Sequence, residues 1–144
     1  MSASTAKRTR MPQSSVAIAV LIGGAIGSLA RLLLGAAIQQ RAGLAFPVGT
    51  LVINVTGSML IGFIMRFVLD TTALTPVMRA LLTTGFCGGY TTFSTFSYET
   101  VDLMRAGFYA RAGVYVASSL TLGLVGTLAG FTVAHGILAL ARGR

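Results

Sequence analysis

Apolar residues run along this chain in four long blocks, approximately 16–38, 47–69, 77–104 and 112–141, separated by short polar connections. Each block is longer than the about 20 residues that a helix needs to cross a hydrocarbon core. The pattern therefore predicts an all-α membrane protein of four transmembrane helices occupying 16–141. The segments 1–15 and 142–144 form basic tails. Pro47 and Pro76 open the second and third blocks, where a missing N–H does no harm to a helix.

Small residues recur at helical spacing within the blocks. Gly23 and Gly27 lie four apart in the first, Gly49, Gly57 and Gly62 lie in the second, and Gly123, Gly126 and Gly130 lie in the fourth. Such strips let helix backbones approach closely in a bilayer, which predicts a tightly packed bundle.

The third block is irregular. It is longer than a straight crossing needs, and Gly85, Gly88 and Gly89 cluster near its middle, ahead of Tyr90, Thr91 and Thr92. Each glycine costs a helix about 1 kcal/mol relative to alanine. Two half-helices with an unwound turn near Gly88–Thr92 are expected, so the third helix is broken near its centre. Released carbonyls in such breaks commonly coordinate cations, and unwound backbone in a membrane must line protein or a water-filled cavity. A straight helix that uses its glycines for close packing is the alternative.

Composition narrows the class. Of 144 residues, 54% are hydrophobic and only 10% charged, with a mean hydropathy of +0.82, which excludes an ordinary soluble domain. The first block is too long for the core of a signal peptide and no small-residue cleavage site follows it, so the whole chain is expected in the mature protein. The net charge is +8, but the basic residues are scattered over tails and loops, which suits lipid headgroups better than nucleic acid. Lys7, Arg8, Arg10, Arg66, Arg79, Arg142 and Arg144 fall on one side of a four-span arrangement, and Arg41, Arg105 and Arg111 on the other. The positive-inside rule then favours cytoplasmic termini.

Few residues are available for chemistry. Asn54 sits deep in the second block, where an amide needs partners, and its NH₂ group supplies donors of the kind a desolvated anion requires. Thr50 and Ser58 lie one turn before and after it, on the same stripe. Tyr115 and Ser119 are likewise four apart, with Ser118 adjacent. Singly, such hydroxyls often bond their own helix. Phe93 and Phe96 share a face, which ordinarily means packing, although the electropositive ring edges suit an anion. Arg31 is the one basic residue well inside a span, a functional candidate unless it snorkels to the interface. Glu99, Asp102 and Asp70 lie near span ends. The single Cys87 reads as a buried packing residue, and His135 is too isolated for a metal cage. No nucleophile and base pair stands out for an enzyme.

Three stretches bring a family into view: Gly23-Gly24-Ala25-Ile26-Gly27-Ser28-Leu29-Ala30-Arg31, Gly49-Thr50-Leu51-Val52-Ile53-Asn54-Val55-Thr56-Gly57-Ser58, and Gly85-Phe86-Cys87-Gly88-Gly89-Tyr90-Thr91-Thr92-Phe93-Ser94-Thr95-Phe96. With them the chain resembles the Fluc (CrcB) family of fluoride channels from its first span to its last. The resemblance implies an antiparallel, dual-topology homodimer in the bacterial inner membrane, with two fluoride pores and one structural sodium ion at the subunit interface. It implies sodium held by the carbonyls of Gly88 and Thr91, pore roles for Phe93, Phe96 and Asn54, a polar track at Tyr115 and Ser119, and an acidic position near the pore exit at Glu99. Seven basic residues against three depart from the balance that insertion in both orientations favours.

Passive export of cytoplasmic fluoride, conferring fluoride resistance, is the function this resemblance implies, and it needs no nucleotide motif. A proton-coupled exporter is also a small four-span dimer, but it needs a carboxylate deep in the first span, and the first two spans have none. A non-transporting scaffold subunit is the other alternative.

Overall fold

The computed structural model describes residues 13–43, 46–71 and 73–143. Lys7, Arg8, Arg10 and Arg144 lie outside the described residues. The described chain is helical throughout: α1 (Gln13–Ala42), α2 (Val48–Asp70), α3 (Pro76–Ala80), a π-helical stretch Leu81–Cys87, α4 (Gly88–Tyr90), α5 (Phe93–Arg105) and α6 (Tyr109–Arg142). Among the described residues α1, α2 and α6 are long and apolar enough to cross a membrane. The third apolar block is shared among shorter pieces.

Local chemistry sets the boundaries. Pro76 occupies the first turn of α3, and Thr75 caps it by accepting from the Met78 N–H at 3.2 Å. The Gly88 N–H reaches back to the Thr83 carbonyl, the five-residue step of a π-helix, a wide form that tends to mark functional segments. Thr92 caps α5 by accepting from the Thr95 N–H at 3.1 Å.

Packing pairs the helices in two rows. α1 lies along the π-helical stretch and α4, and α2 lies along α6. Glycine makes the first contact possible: a Cβ on Gly89 would lie 2.5 Å from the Gly24 carbonyl oxygen, and one on Gly27 would fall 2.9 Å from the Tyr90 nitrogen. Gly126 and Gly130 bring α6 against Val55 and Met59 of α2 in the same way. The registers 55 to 126 and 59 to 130 make α2 and α6 parallel. Gln39 beside Gly49 makes α1 and α2 antiparallel.

Many buried positions are small, Gly23, Gly27, Ala112 and Ala134 among them, whereas long apolar side chains such as Leu21, Leu32, Leu124 and Leu140 point outward, 65–75% exposed. This is the arrangement of a protein whose solvent is lipid, where small residues draw helices together. At the ends of α2 and α6, Arg66 pairs with Asp70 at 2.7 Å and Arg142 donates to the Asp70 carbonyl at 2.9 Å.

The unwound turn expected near Gly88–Thr92 is confined to the last two of those residues. Gly88, Gly89 and Tyr90 are helical, and only Thr91 (φ −83°, ψ 159°) and Thr92 (φ −150°, ψ 115°) are extended. Gly89 serves the close approach to α1. The chain leaves the helix two residues later, where α2 supplies a substitute for its hydrogen bonds.

Candidate functional site

That substitute is Asn54. Its Oδ1 accepts the Thr92 N–H at 2.8 Å, and its Nδ2 donates to the Thr92 carbonyl at 3.0 Å. One side-chain amide thus satisfies both backbone groups of a residue that has left helical geometry, removing the penalty of burying them unpaired. An amide N–H of Asn54 remains for another acceptor, since NH₂ carries two donors.

Beside this clamp lies a cavity of about 390 Å³, whose lining includes Asn54, Ser58, Phe93, Phe96 and Ser119. The Ser119 hydroxyl is buried without a hydrogen-bond partner. Phe93 is 78% exposed on the single chain, and its ring meets that of Phe96 at 5.7 Å with planes tilted by 45°. Residues bearing donors and aromatic rings therefore line one space, with no charged residue among them.

A second constellation stands one turn along α2. Glu99 on α5 accepts from the Thr50 hydroxyl at 2.8 Å through Oε1 and from the Tyr115 hydroxyl at 2.7 Å through Oε2. Tyr115 is completely buried, and its ring packs on Phe96 at 5.2 Å. A second cavity, about 530 Å³, adjoins it and is lined by Arg31, Gln39, Thr50, Thr92 and Glu99 among others. Arg31 is half-buried, with Nη1 3.5 Å from the Thr91 carbonyl oxygen, so its side chain turns toward the break.

The break also releases carbonyls. The Thr92 N–H, which an unbroken helix would aim at Gly88, goes to Asn54, and the Thr95 N–H, due to Thr91, goes to the Thr92 hydroxyl. The Gly88 and Thr91 carbonyls thereby lose their helical donors. Neutral oxygens of this sort suit a hard, singly charged cation, so the donor chemistry fits sodium. Among the described residues no group of three or more His, Cys, Asp or Glu side chains could hold a metal ion.

Other candidates have structural partners. Cys87 is buried in a core cluster with Ile64 and Val68. His135 is exposed and faces Arg66, Nη2 to Nδ1 2.8 Å. Ser118 bonds the Tyr115 carbonyl of its own helix, whereas the Thr50 and Tyr115 hydroxyls bond Glu99 on another helix. Sequence reasoning overlooked Thr92, Phe46 and Gln39. A threonine placed three residues before Thr95 is a readable cap signal; Phe46 and Gln39 act across a loop and carry no periodic signal.

The family described as CrcB-like protein, Camphor Resistance (CrcB), matches residues 18–131. The chain belongs to the CrcB family. Curated relatives cover most of its length. A protein of Geobacter sulfurreducens named fluoride-specific ion channel FluC is 49% identical over 118 residues, 82% of this chain and 95% of that one. Proteins of the same name from Aquifex aeolicus and Chlorobaculum tepidum are 43% and 51% identical, covering 85% and 78% of this chain and 98% and 88% of their own. These CrcB relatives carry the name of a channel, not of an enzyme. CrcB membership, with three helices apolar and long enough to span, makes this a multi-pass membrane protein. The residues matched include both constellations around Asn54 and Glu99.

Proposed function

We propose that the chain is the subunit of a fluoride-selective channel that lets cytoplasmic fluoride leave passively and so confers fluoride resistance. The observation that carries this reading is the succession of donors beside the break. Asn54, which has one amide N–H to spare, and Ser119, whose hydroxyl has no partner, line one cavity, and Phe96 joins it to the Thr50–Glu99–Tyr115 cluster. Fluoride holds its water strongly, so a pore must offer replacement donors that are moderate and repeated. The names of the relatives support the choice of anion.

In this reading the pieces from Pro76 to Arg105 form a third membrane span, broken at Thr91–Thr92. Fluoride enters along Phe93 and Phe96, whose electropositive ring edges attract it weakly, and meets Asn54, Ser58 and Ser119. Beyond Phe96 the Glu99 carboxylate already engages both hydroxyl donors. Fluoride and Glu99 compete for Thr50 and Tyr115, so the ion passes when the carboxylate yields them. The lining around Asn54, which is neutral, discriminates against chloride by size.

The working unit is an antiparallel homodimer of dual topology in the bacterial inner membrane. Phe93, exposed on one subunit, lies against the other subunit there. The Gly88 and Thr91 carbonyls of both subunits hold one sodium ion, which when bound contributes fixed positive charge and is not transported. No deep carboxylate lies in α1 or α2, which disfavours the proton-coupled exporter.

Fluoride efflux from liposomes holding the purified protein, with chloride as competitor, tests the reading. Rapid fluoride efflux with little chloride is the expected result. Absence of fluoride flux from well-folded protein would overturn it.

A further inference from the structure

The ring of Tyr115 packs against two others. Phe96, already assigned to the path, is one, centroids 5.2 Å apart. The other is Phe46, which forms a T-shaped pair with Tyr115, centroids 5.5 Å apart and planes at 81°. T-shaped pairs of this kind are attractive beyond the area they bury. Between these rings the completely buried Tyr115 directs its hydroxyl to Glu99 at 2.7 Å.

Phe46 stands just ahead of α2 and outside any helix, so no helix holds its ring in place. Gln39, on the last turns of α1, holds it. Its Nε2 donates to the Phe46 carbonyl at 3.0 Å and to the Gly43 carbonyl at 2.5 Å, and its Oε1 accepts the Gly49 N–H at 2.9 Å. One amide ties the connection at both ends and fastens it to the start of α2, one residue from Thr50. The ring of Phe46, the hydroxyl of Tyr115 and the hydroxyl of Thr50 are therefore set by a single anchor.

We infer that Phe46 is a positioning residue for the fluoride path: it fixes the Tyr115 hydroxyl on Glu99, with Gln39 as its clamp. The inference rests on the fluoride reading above and goes beyond it, because Phe46 lines neither cavity and acts only through Tyr115.

The test is a cycle of four proteins: wild type, Phe46→Leu, Tyr115→Phe and the double variant. Phe46→Leu keeps apolar bulk and removes the ring edge, and should lower fluoride efflux about tenfold. In the Tyr115→Phe background, where no hydroxyl remains to be aimed, the same change should alter efflux less than about twofold. An equal loss in both backgrounds, or no loss in either, would overturn the inference. If wild type passes no fluoride, or Tyr115→Phe passes too little to compare, thermal melting of the same four proteins decides. A melting shift from Phe46→Leu that shrinks to half or less without the Tyr115 hydroxyl supports positioning, and additive shifts refute it. Absent wild-type flux would by itself count only against the fluoride reading. Gln39→Met, which frees the connection without touching either ring, replaces Phe46→Leu if that variant does not fold, with the same outcomes.

Discussion

The Asn54 side chain stands where a helix would otherwise be, giving the backbone of Thr92 an acceptor at 2.8 Å and a donor at 3.0 Å. An interruption inside an apolar environment is costly because unpaired peptide groups find no water. A primary amide is the smallest side chain that both donates and accepts in one plane, so it can mimic the peptide partner that Thr92 has lost. The same residue lines the cavity, which joins the stability of the break to the chemistry of the path.

Replacing Asn54 therefore has two consequences. Asn54→Ala leaves both Thr92 groups unpaired, at about 1–3 kcal/mol for each, and should lower the melting temperature measurably. Asn54→Asp still accepts the Thr92 N–H but turns a second oxygen toward the Thr92 carbonyl and places an anion in the path. We expect it to melt below wild type and to lose fluoride efflux altogether. Robust fluoride flux through Asn54→Asp would refute the role assigned to this amide.

The cluster around Glu99 makes a separate prediction about coupling. Hydrogen bonds to a charged group contribute about 1.5–3 kcal/mol, and Glu99 receives two, from Thr50 and Tyr115. Thr50→Val and Tyr115→Phe should each destabilise the protein by about that amount and slow fluoride efflux. In a Glu99→Gln background the cost of Tyr115→Phe should fall well below its value in wild type. Equal costs in the two backgrounds, read by thermal melting in detergent, would show that the carboxylate does not hold the hydroxyl.

Close approach of α1 to the third apolar block depends on missing Cβ atoms, and two glycines test it in contrast. A Cβ on Gly27 would lie 2.9 Å from the Tyr90 nitrogen and 3.0 Å from the Phe86 carbonyl carbon, backbone that cannot give way, whereas Gly136 has nothing within 4 Å. Overpacking typically costs about 1–3 kcal/mol, so Gly27→Ala should melt lower and yield less folded protein. Gly136→Ala should melt at or slightly above wild type, since alanine favours a helix by about 1 kcal/mol. A Gly27→Ala protein as stable as wild type would mean that the helices stand further apart.

What the amino-acid order made legible follows from range of interaction. Apolar run lengths and the four-residue spacing of Thr50, Asn54 and Ser58 are local quantities, and they placed these side chains on one stripe of α2 before any packing was known. The interruption of the third block was readable from helix propensity to within the five residues Gly88–Thr92, but not its exact place. The helix gives way only at Thr91 and Thr92, because the decisive groups are Asn54, 38 residues away, and the cap at Thr92. Gly85 and Gly89 answer instead to Gly23 and Gly24 on another helix. Phe46 and Gln39 were hidden for the same reason: their partners are fixed by how a connection folds back, and no periodicity marks it.

The released carbonyls of Gly88 and Thr91 lead to the last prediction, which links the cation to the clamp. If sodium is held there, it binds only the folded dimer and must raise the melting temperature by mass action, about 2.7 kcal/mol at a hundred times its dissociation constant. Sodium should therefore stabilise wild type more than N-methylglucamine at equal ionic strength, and its exhaustive removal should also reduce fluoride efflux. The Gly88 carbonyl lacks its helical donor because Asn54 takes the Thr92 N–H, and the Thr91 carbonyl lacks its own because the Thr92 hydroxyl takes the Thr95 N–H, leaving it beside Arg31 Nη1 at 3.5 Å. Asn54→Ala releases the clamped Thr92 backbone that keeps the break open, so the sodium-dependent part of the melting shift should disappear in this variant. Identical wild-type melting in the two salts would dispose of the sodium proposal. A full sodium shift that persists in Asn54→Ala would show instead that the cation site is held open by something other than the amide clamp.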